Sequence, residues 1–200
     1  IIVGYSDTYN DGDVTGNHGL IDYWIVKIDA NGTIEWQKTI GGDGSDYLTM
    51  ILQTIDGGYI LGGYSNSNIS GDKTENPLGG FDYWIVKTDS IGAILWQNTI
   101  GGNADDWLQS VIQTSDGGYL LGGTSNSDIS GDKTEICVGI RDFWIVKTNN
   151  LGVIQWQNTI GGSSLDDLTS IAQTSDGGFI LGGWSESDIS GDKTENSNGS

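Results

Sequence analysis

Apolar residues fall in runs of seven or eight, rich in β-branched and aromatic side chains and closed at each end by Gly, Asp, Asn or Ser. That is the pattern of short β-strands, and no segment reads as a helix. Between residues 82 and 125 the runs lie at about 82–88, 94–100, 108–115 and 118–125. The run at 82–88 is apolar on both faces apart from Lys87, as in a strand whose sheet is packed between two others. Asp116-Gly117 joins the last two runs and predicts a tight hairpin, since a primed two-residue turn needs positive φ at both central positions. Asp89-Ser90-Ile91-Gly92 predicts a second tight turn, with counterparts at Asp29 to Gly32 and Asn149 to Gly152.

This four-strand pattern recurs every 60 residues. Gly71-Asp72-Lys73-Thr74-Glu75 returns at Gly131 and Gly191, Asp22 to Lys27 returns from Asp82 and Asp142, and Gln37 to Gly42 returns from Gln97 and Gln157. Residues 71–130 and 131–190 align without a gap and are identical at 38 of 60 positions. The chain thus divides into repeats 11–70, 71–130 and 131–190, with partial repeats 1–10 and 191–200, as one repeat-domain segment. Four antiparallel strands per repeat predict an all-β, propeller-like array of blades, each burying both faces against its neighbours. Ile1 to Gly4 match the second strand of a blade, so two blades are complete, at about 47–100 and 107–160. The expectation is an incomplete arc of a larger propeller, whose open edges further sequence or self-association would cover.

The composition narrows the class. Gly supplies 33 of 200 residues beside a single Pro and without a G-X-Y period, which excludes collagen, while eight Trp and eight Tyr supply core material that disordered chains lack. Eight basic against 27 acidic residues give a net charge of −19, and the basic residues are scattered. Neither nucleic acid nor an anionic membrane surface is therefore an expected partner. No apolar stretch is long enough to insert into a bilayer. The chain opens on Ile1 without an initiator Met, as expected of a processed product or an excised segment. Cys137 stands alone, so no intrachain disulfide forms.

A hydrophobic strand ending in Gly122-Gly123, a loop, an aromatic strand from Tyr83-Trp84 to Asp89 and then Trp96 together resemble the kelch repeat. The whole unit is similar to the tandem repeats of secreted bacterial surface proteins that leave through a C-terminal sorting domain. The resemblance covers essentially the full chain and implies an extracellular or cell-surface location and a role in binding, adhesion or display. Asp89-x-x-Gly92-x-x-x-Trp96 is also similar to turn motifs of quinoprotein and sialidase propellers, where they are structural.

The up-and-down order places both tight turns at one end of each sheet. The long loops at 66–80 and 126–140 and the Gly-Gly loops at 41–47, 101–107 and 161–167 share the other end, which carries much of the acidic charge. Long loops on a rigid scaffold are where binding concentrates. Asp105, Asp106, Asp166 and Asp167 in these loops are candidate contacts with an extracellular protein or glycan. Trp107 and Trp184 join them because they do not recur in other repeats, whereas Trp24, Trp84, Trp144, Trp36, Trp96 and Trp156 do and read as packing between blades. Asp128, Ser130, Asp132 and Glu135, repeated as Asp188, Ser190, Asp192 and Glu195, space oxygens around a Gly as calcium loops do, so calcium is a candidate cofactor. The competing reading is that these side chains bond the loop backbone itself. One His, one Cys and one Arg cannot assemble zinc, triad or sialidase-like chemistry, so the chain reads as a non-enzyme. The alternative is a carbohydrate-binding or glycan-processing propeller in which Trp107 and Trp184 line the site. Lys27, Lys87 and Lys147 read as ion-paired or snorkelling, and His18 as a surface residue.

Overall fold

The computed structural model describes residues 1–7 and 12–197. The partial repeats 1–10 and 191–200 extend in part outside them. Thirteen strands and no helix occur among the described residues: β1 (Ile2–Ser6), β2 (Asp22–Ile28), β3 (Ile34–Ile40), β4 (Asp46–Gln53), β5 (Tyr59–Ser65), β6 (Asp82–Thr88), β7 (Ile94–Ile100), β8 (Asp106–Gln113), β9 (Tyr119–Ser125), β10 (Asp142–Thr148), β11 (Ile154–Ile160), β12 (Asp166–Gln173) and β13 (Phe179–Ser185). They form tandem antiparallel sheets in the orders β1-β2-β3, β4-β5-β6-β7, β8-β9-β10-β11 and β12-β13. The architecture is all-β and propeller-like, with β1 in the place of a second strand.

The strand expected at 108–115 begins and ends two residues earlier, at Asp106–Gln113. The cause is the turn: Thr114 N–H donates to Gly118 O at 3.0 Å and Gly117 N–H to Thr114 O at 2.8 Å. The loop is therefore Ser115-Asp116-Gly117, with Gly117 at φ 83°, rather than a two-residue primed turn. Asp116 Oδ1 closes it by accepting the Gly118 N–H at 3.0 Å. The turn from β6 to β7 has the same form, and Asp89 Oδ1 accepts the N–H groups of Ile91 and Ala93 at 2.9 and 2.8 Å.

The chain divides into two compact units, one of Ile1–Pro77 with Tyr83–Thr99 and the other of Leu78–Asp82 with the chain from Ile100 on. In the first, Tyr23, Ile25, Leu48, Leu61, Trp84 and Val86 form the core between the β1-β2-β3 and β4-β5-β6-β7 sheets. The Tyr23 hydroxyl donates to Trp84 O at 3.0 Å and the two rings lie 4.8 Å apart. In the second, Leu120, Ile145, Leu168 and Ile171 join β8-β9-β10-β11 to β12-β13, where Leu168 and Ile171 lie against Gly122. Trp84 and Trp144 are fully buried, and Trp36 and Trp156 reach Tyr59 and Phe179 of the following sheet at 6.2 and 6.1 Å. Trp84 and Trp144 thus pack in the interior, and Trp36 and Trp156 meet the neighbouring sheet of their unit. Lys87 and Lys147 bridge to Asp56 and Asp116 at 3.0 and 2.9 Å, and Lys27 to Glu35 at 2.7 Å.

Candidate functional site

The Gly-Gly loops are folded by an aspartate that opens the next strand. Asp106 is fully buried, and its Oδ2 accepts the Gly102 N–H at 2.7 Å and the Ser127 hydroxyl at 3.0 Å. Asp46 does the same with Gly42 and Ser67, at 2.8 and 2.9 Å, and Asp166 with Gly162 and Ser187, at 2.7 and 2.8 Å. The first glycine of each pair admits no side chain: a Cβ at Gly41, Gly101 or Gly161 would overlap the carboxylate of Asp22, Asp82 or Asp142. Burial pushes the carboxyl pKa values of Asp46 and Asp106 upward, against the pull of their serine and amide donors and of Lys73 and Lys133. Asp106 and Asp166, expected from sequence to meet a partner, are therefore internal pillars of their loops. Asp106 and Asp166 open β8 and β12 with their carboxylates inward, and the next residues, Trp107 and Asp167, lie on the opposite face of each strand. Asp105 is half-buried and accepts the Phe81 N–H at 2.8 Å.

The long-loop oxygens have separate destinations. Ser130 Oγ accepts the Asn103 N–H at 2.8 Å, Asp132 accepts the Gly101 N–H at 3.3 Å and Glu135 accepts the Thr159 N–H at 2.5 Å. In the next copy Ser190 Oγ accepts the Ser163 N–H at 2.8 Å and Asp192 the Gly161 N–H at 3.3 Å. Asp128, Asp188 and Glu195 are exposed. Among the described residues no three His, Cys, Asp or Glu side chains gather as metal ligands. Each of the bonds from Ser130, Asp132, Glu135, Ser190 and Asp192 crosses to a loop or strand 24 to 31 positions away, so these side chains tie neighbouring connections together.

The lysine of the recurring Gly-Asp-Lys-Thr-Glu segment is buried in its first two copies. Lys73 Nζ lies 5.2 Å from the centroid of the Trp84 ring and donates to Thr99 Oγ1 at 2.5 Å. Lys133 holds the same place over Trp144 and Thr159. The clue in the sequence is a lysine recurring at 73, 133 and 193 in a chain with only eight basic residues.

Trp107, Asp167 and Trp184 come together around Arg141. The Arg141 guanidinium carbon lies 5.8 Å from the Trp107 ring centroid and 5.7 Å from that of Trp184, and Nη2 donates to Asp167 Oδ2 at 2.6 Å. Trp107 and Asp167 are the second residues of β8 and β12, Trp184 is the penultimate residue of β13 and Arg141 precedes β10. All four therefore sit at the long-loop end of their sheets, with Asp167 directly opposite Trp184 in the β12-β13 ladder. Trp184 is 45% exposed, and the buried Nε of Arg141 has no hydrogen-bond partner among the described residues. At the equivalent place in the first unit Ile21 stands for Arg141, and Tyr47 contacts Tyr5 and Tyr64 at 5.0 and 5.2 Å. Arg141 was not legible as a site residue, because its partners lie 26 to 43 positions away in sequence.

No protein-family model matches the chain. Among curated proteins it is similar to "Regulatory protein FlaEY" of Caulobacter vibrioides, 26% identical over 169 residues, which is 78% of this chain. The similarity covers 16% of that protein, so the chain spans about a sixth of the length of the relative it matches.

Proposed function

We propose that the chain is a non-catalytic repeat scaffold of an extracellular or cell-surface protein, and that its second unit binds a partner through the long-loop end around Arg141, Trp107 and Trp184. The observation that carries this reading is a contrast between two sets of side chains at that end. The Asp-Gly-Ser and Lys-Trp arrangements repeat with the same bonds from copy to copy, as structural parts do. The Arg141, Trp107, Asp167 and Trp184 set departs from the repeat at every one of its positions and keeps a large indole in solvent. Exposed Trp and Arg are the residue types that dominate binding surfaces, and an indole beside a guanidinium can stack on a sugar ring or grip a protein loop equally well. The surface location rests on the resemblance to secreted bacterial repeats.

The test is a parallel screen of the purified chain and its Trp184→Ala variant on a glycan array and on immobilised extracellular proteins. The reading expects a saturable signal that Trp184→Ala reduces at least tenfold while leaving the thermal midpoint unchanged. An empty screen, or a signal that the variant retains, overturns it.

A further inference from the structure

The first repeat breaks the pattern in a second place, inside the first unit. A cavity of about 420 Å³ opens beside β3, lined among others by Thr15, His18, Gln37, Lys38 and Asp72. That volume lies in the lower part of the range of about 300–1,000 Å³ occupied by small-molecule sites. Its lining is where this repeat differs from the others. Thr15 and Gly16 stand where residues 75 and 76 are Glu and Asn, His18 where residue 78 is Leu, and Lys38 where residue 98 is Asn.

The exchange of Glu for Thr makes the room. In the next repeat Glu75 reaches the fourth strand, where its Oε2 accepts the Thr99 N–H at 2.6 Å. Thr15 is two carbons shorter and meets the first repeat's fourth strand differently: Thr39 Oγ1 donates to its carbonyl, and Gln37 Nε2 donates to its hydroxyl at 2.6 Å. The space left by the longer side chain is bordered by the hydrogen-bonding groups of Thr15, Gln37, Lys38 and Asp72 and, on its apolar side, by Ile40 and Ile94.

The charges around it are specific. His18 Nδ1 lies 3.5 Å from Asp22 and 3.6 Å from Asp72, so the ring is oriented by two carboxylates. Its Nε2 makes no hydrogen bond among the described residues. Lys27, Lys87, Lys147 and Arg141 each hold a carboxylate within 3.0 Å. Lys73 and Lys133 are buried over tryptophan rings and Lys193 donates to Ser187 O, whereas Lys38 has no carboxylate within 4 Å among the described residues. An unneutralised ammonium lining a polar cavity of such an acidic protein is a seat for an anion.

We infer that this cavity binds a small hydroxylated carboxylate, of the size and chemistry of a sugar acid. Lys38 takes the carboxylate, and Thr15, Gln37, Asp72 and His18 Nε2 take the hydroxyls. A free uronate and the uronate end of an acidic glycan present the same groups. This site is separate from the Arg141 cluster and stands or falls independently of it.

The single histidine supplies the readout, because the chain has one imidazole signal by NMR. Glucuronate, galacturonate and a uronate-ended oligosaccharide are each titrated to about 10 mM, with glucose and acetate as controls. The inference expects a saturable shift of the His18 signal by a monouronate or by the oligosaccharide, the two outcomes distinguishing the free acid from the glycan end. Lys38→Gln is expected to weaken binding about tenfold, the factor that one charge-assisted hydrogen bond represents. Thr15→Glu, which restores the side chain of the neighbouring repeat, is expected to abolish it without lowering the thermal midpoint. An unmoved His18 signal, equal binding of glucose or of acetate, or unchanged affinity in Lys38→Gln or in a folded Thr15→Glu variant overturns the inference.

Discussion

Lys133 Nζ lies 5.4 Å from the centroid of the Trp144 ring, with 1% of the lysine exposed to solvent. An ammonium so deeply buried is retained only where its charge is answered, and here the indole face, Thr159 Oγ1 and the field of Asp106 and Asp142 answer it. Burial holds its pKa below the ordinary lysine value, so the balance is close. Lys133→Ala removes both the packed stem and the charge and is expected to cost about 3 kcal/mol in urea unfolding. Lys133→Met restores the stem alone and is expected to recover about half of that loss. Wild-type stability in Lys133→Met would show that the charge contributes nothing.

Asp106 carries a second prediction. It opens β8 and bonds the Gly102 N–H at 2.7 Å, so its loss leaves a buried amide without an acceptor. Asp106→Ala is expected to cost about 2–3 kcal/mol in urea unfolding. Asp105→Ala, at the half-buried residue just before β8 that accepts the Phe81 N–H, is expected to cost less than half as much. Equal losses at the two positions would show that the fully buried Asp106 holds its loop no more firmly than Asp105 does.

That pair of neighbours also marks the limit of what the sequence discloses. The strands and their repeat phase are legible because hydrophobic alternation and turn residues recur three times over, each copy checking the others. The turn at Thr114 to Gly118 differs from expectation only because the hydrogen bonds enclose three residues where Asp116-Gly117 suggested two. Loop acids are less legible, since an aspartate that folds a Gly-Gly loop and one that faces solvent have the same composition signal. Asp106 and Asp166 are placed by the fold, and so is Arg141, whose two tryptophans come from different sheets. The departures of Trp107 and Trp184 from the repeat were visible in the sequence, and the structure brings both to one cation.

Cys137 is expected to be unreactive. Its thiol donates to Ser125 O at 3.4 Å, and burial, followed by the Asp142 charge, pushes its pKa up to about 12. The thiolate is the reacting species, so at pH 8 labelling by a disulfide reagent should be at least a hundredfold slower in the folded chain than after denaturation. Comparable rates would show that the thiol is open to solvent.

The buried carboxylates give the chain a stability optimum on the acid side of neutrality. Burial, reinforced by the charge of Asp46, pushes Asp22 up to about 6 against the opposing effect of His18. Asp46, Asp106 and Asp142 move in the same direction, each mainly through burial. An unfolded aspartate titrates near 3.9, so between about pH 4 and 6 the folded chain binds more protons than the unfolded one. Stability therefore falls as pH rises through that window. The turn aspartates act in the opposite sense. Asp56 is lowered to about 2 by the Thr54 hydroxyl, Lys87 and the Gly58 amide, and Asp116 and Asp176 are lowered by similar contacts. Their contribution is present above the unfolded value and is lost as pH falls through the folded one. The net charge of −19 adds self-repulsion that mild acid relieves. Thermal melts should accordingly peak at about pH 4, decline from there through about pH 6 and fall again below about pH 3. Asp22→Asn keeps an oxygen to accept the His18 N–H and removes one titration, so it should flatten the neutral limb by a few degrees and leave the acid limb in place. A midpoint that rises steadily from pH 4 to 8 would mean that these carboxylates are solvated and ionised in the folded chain.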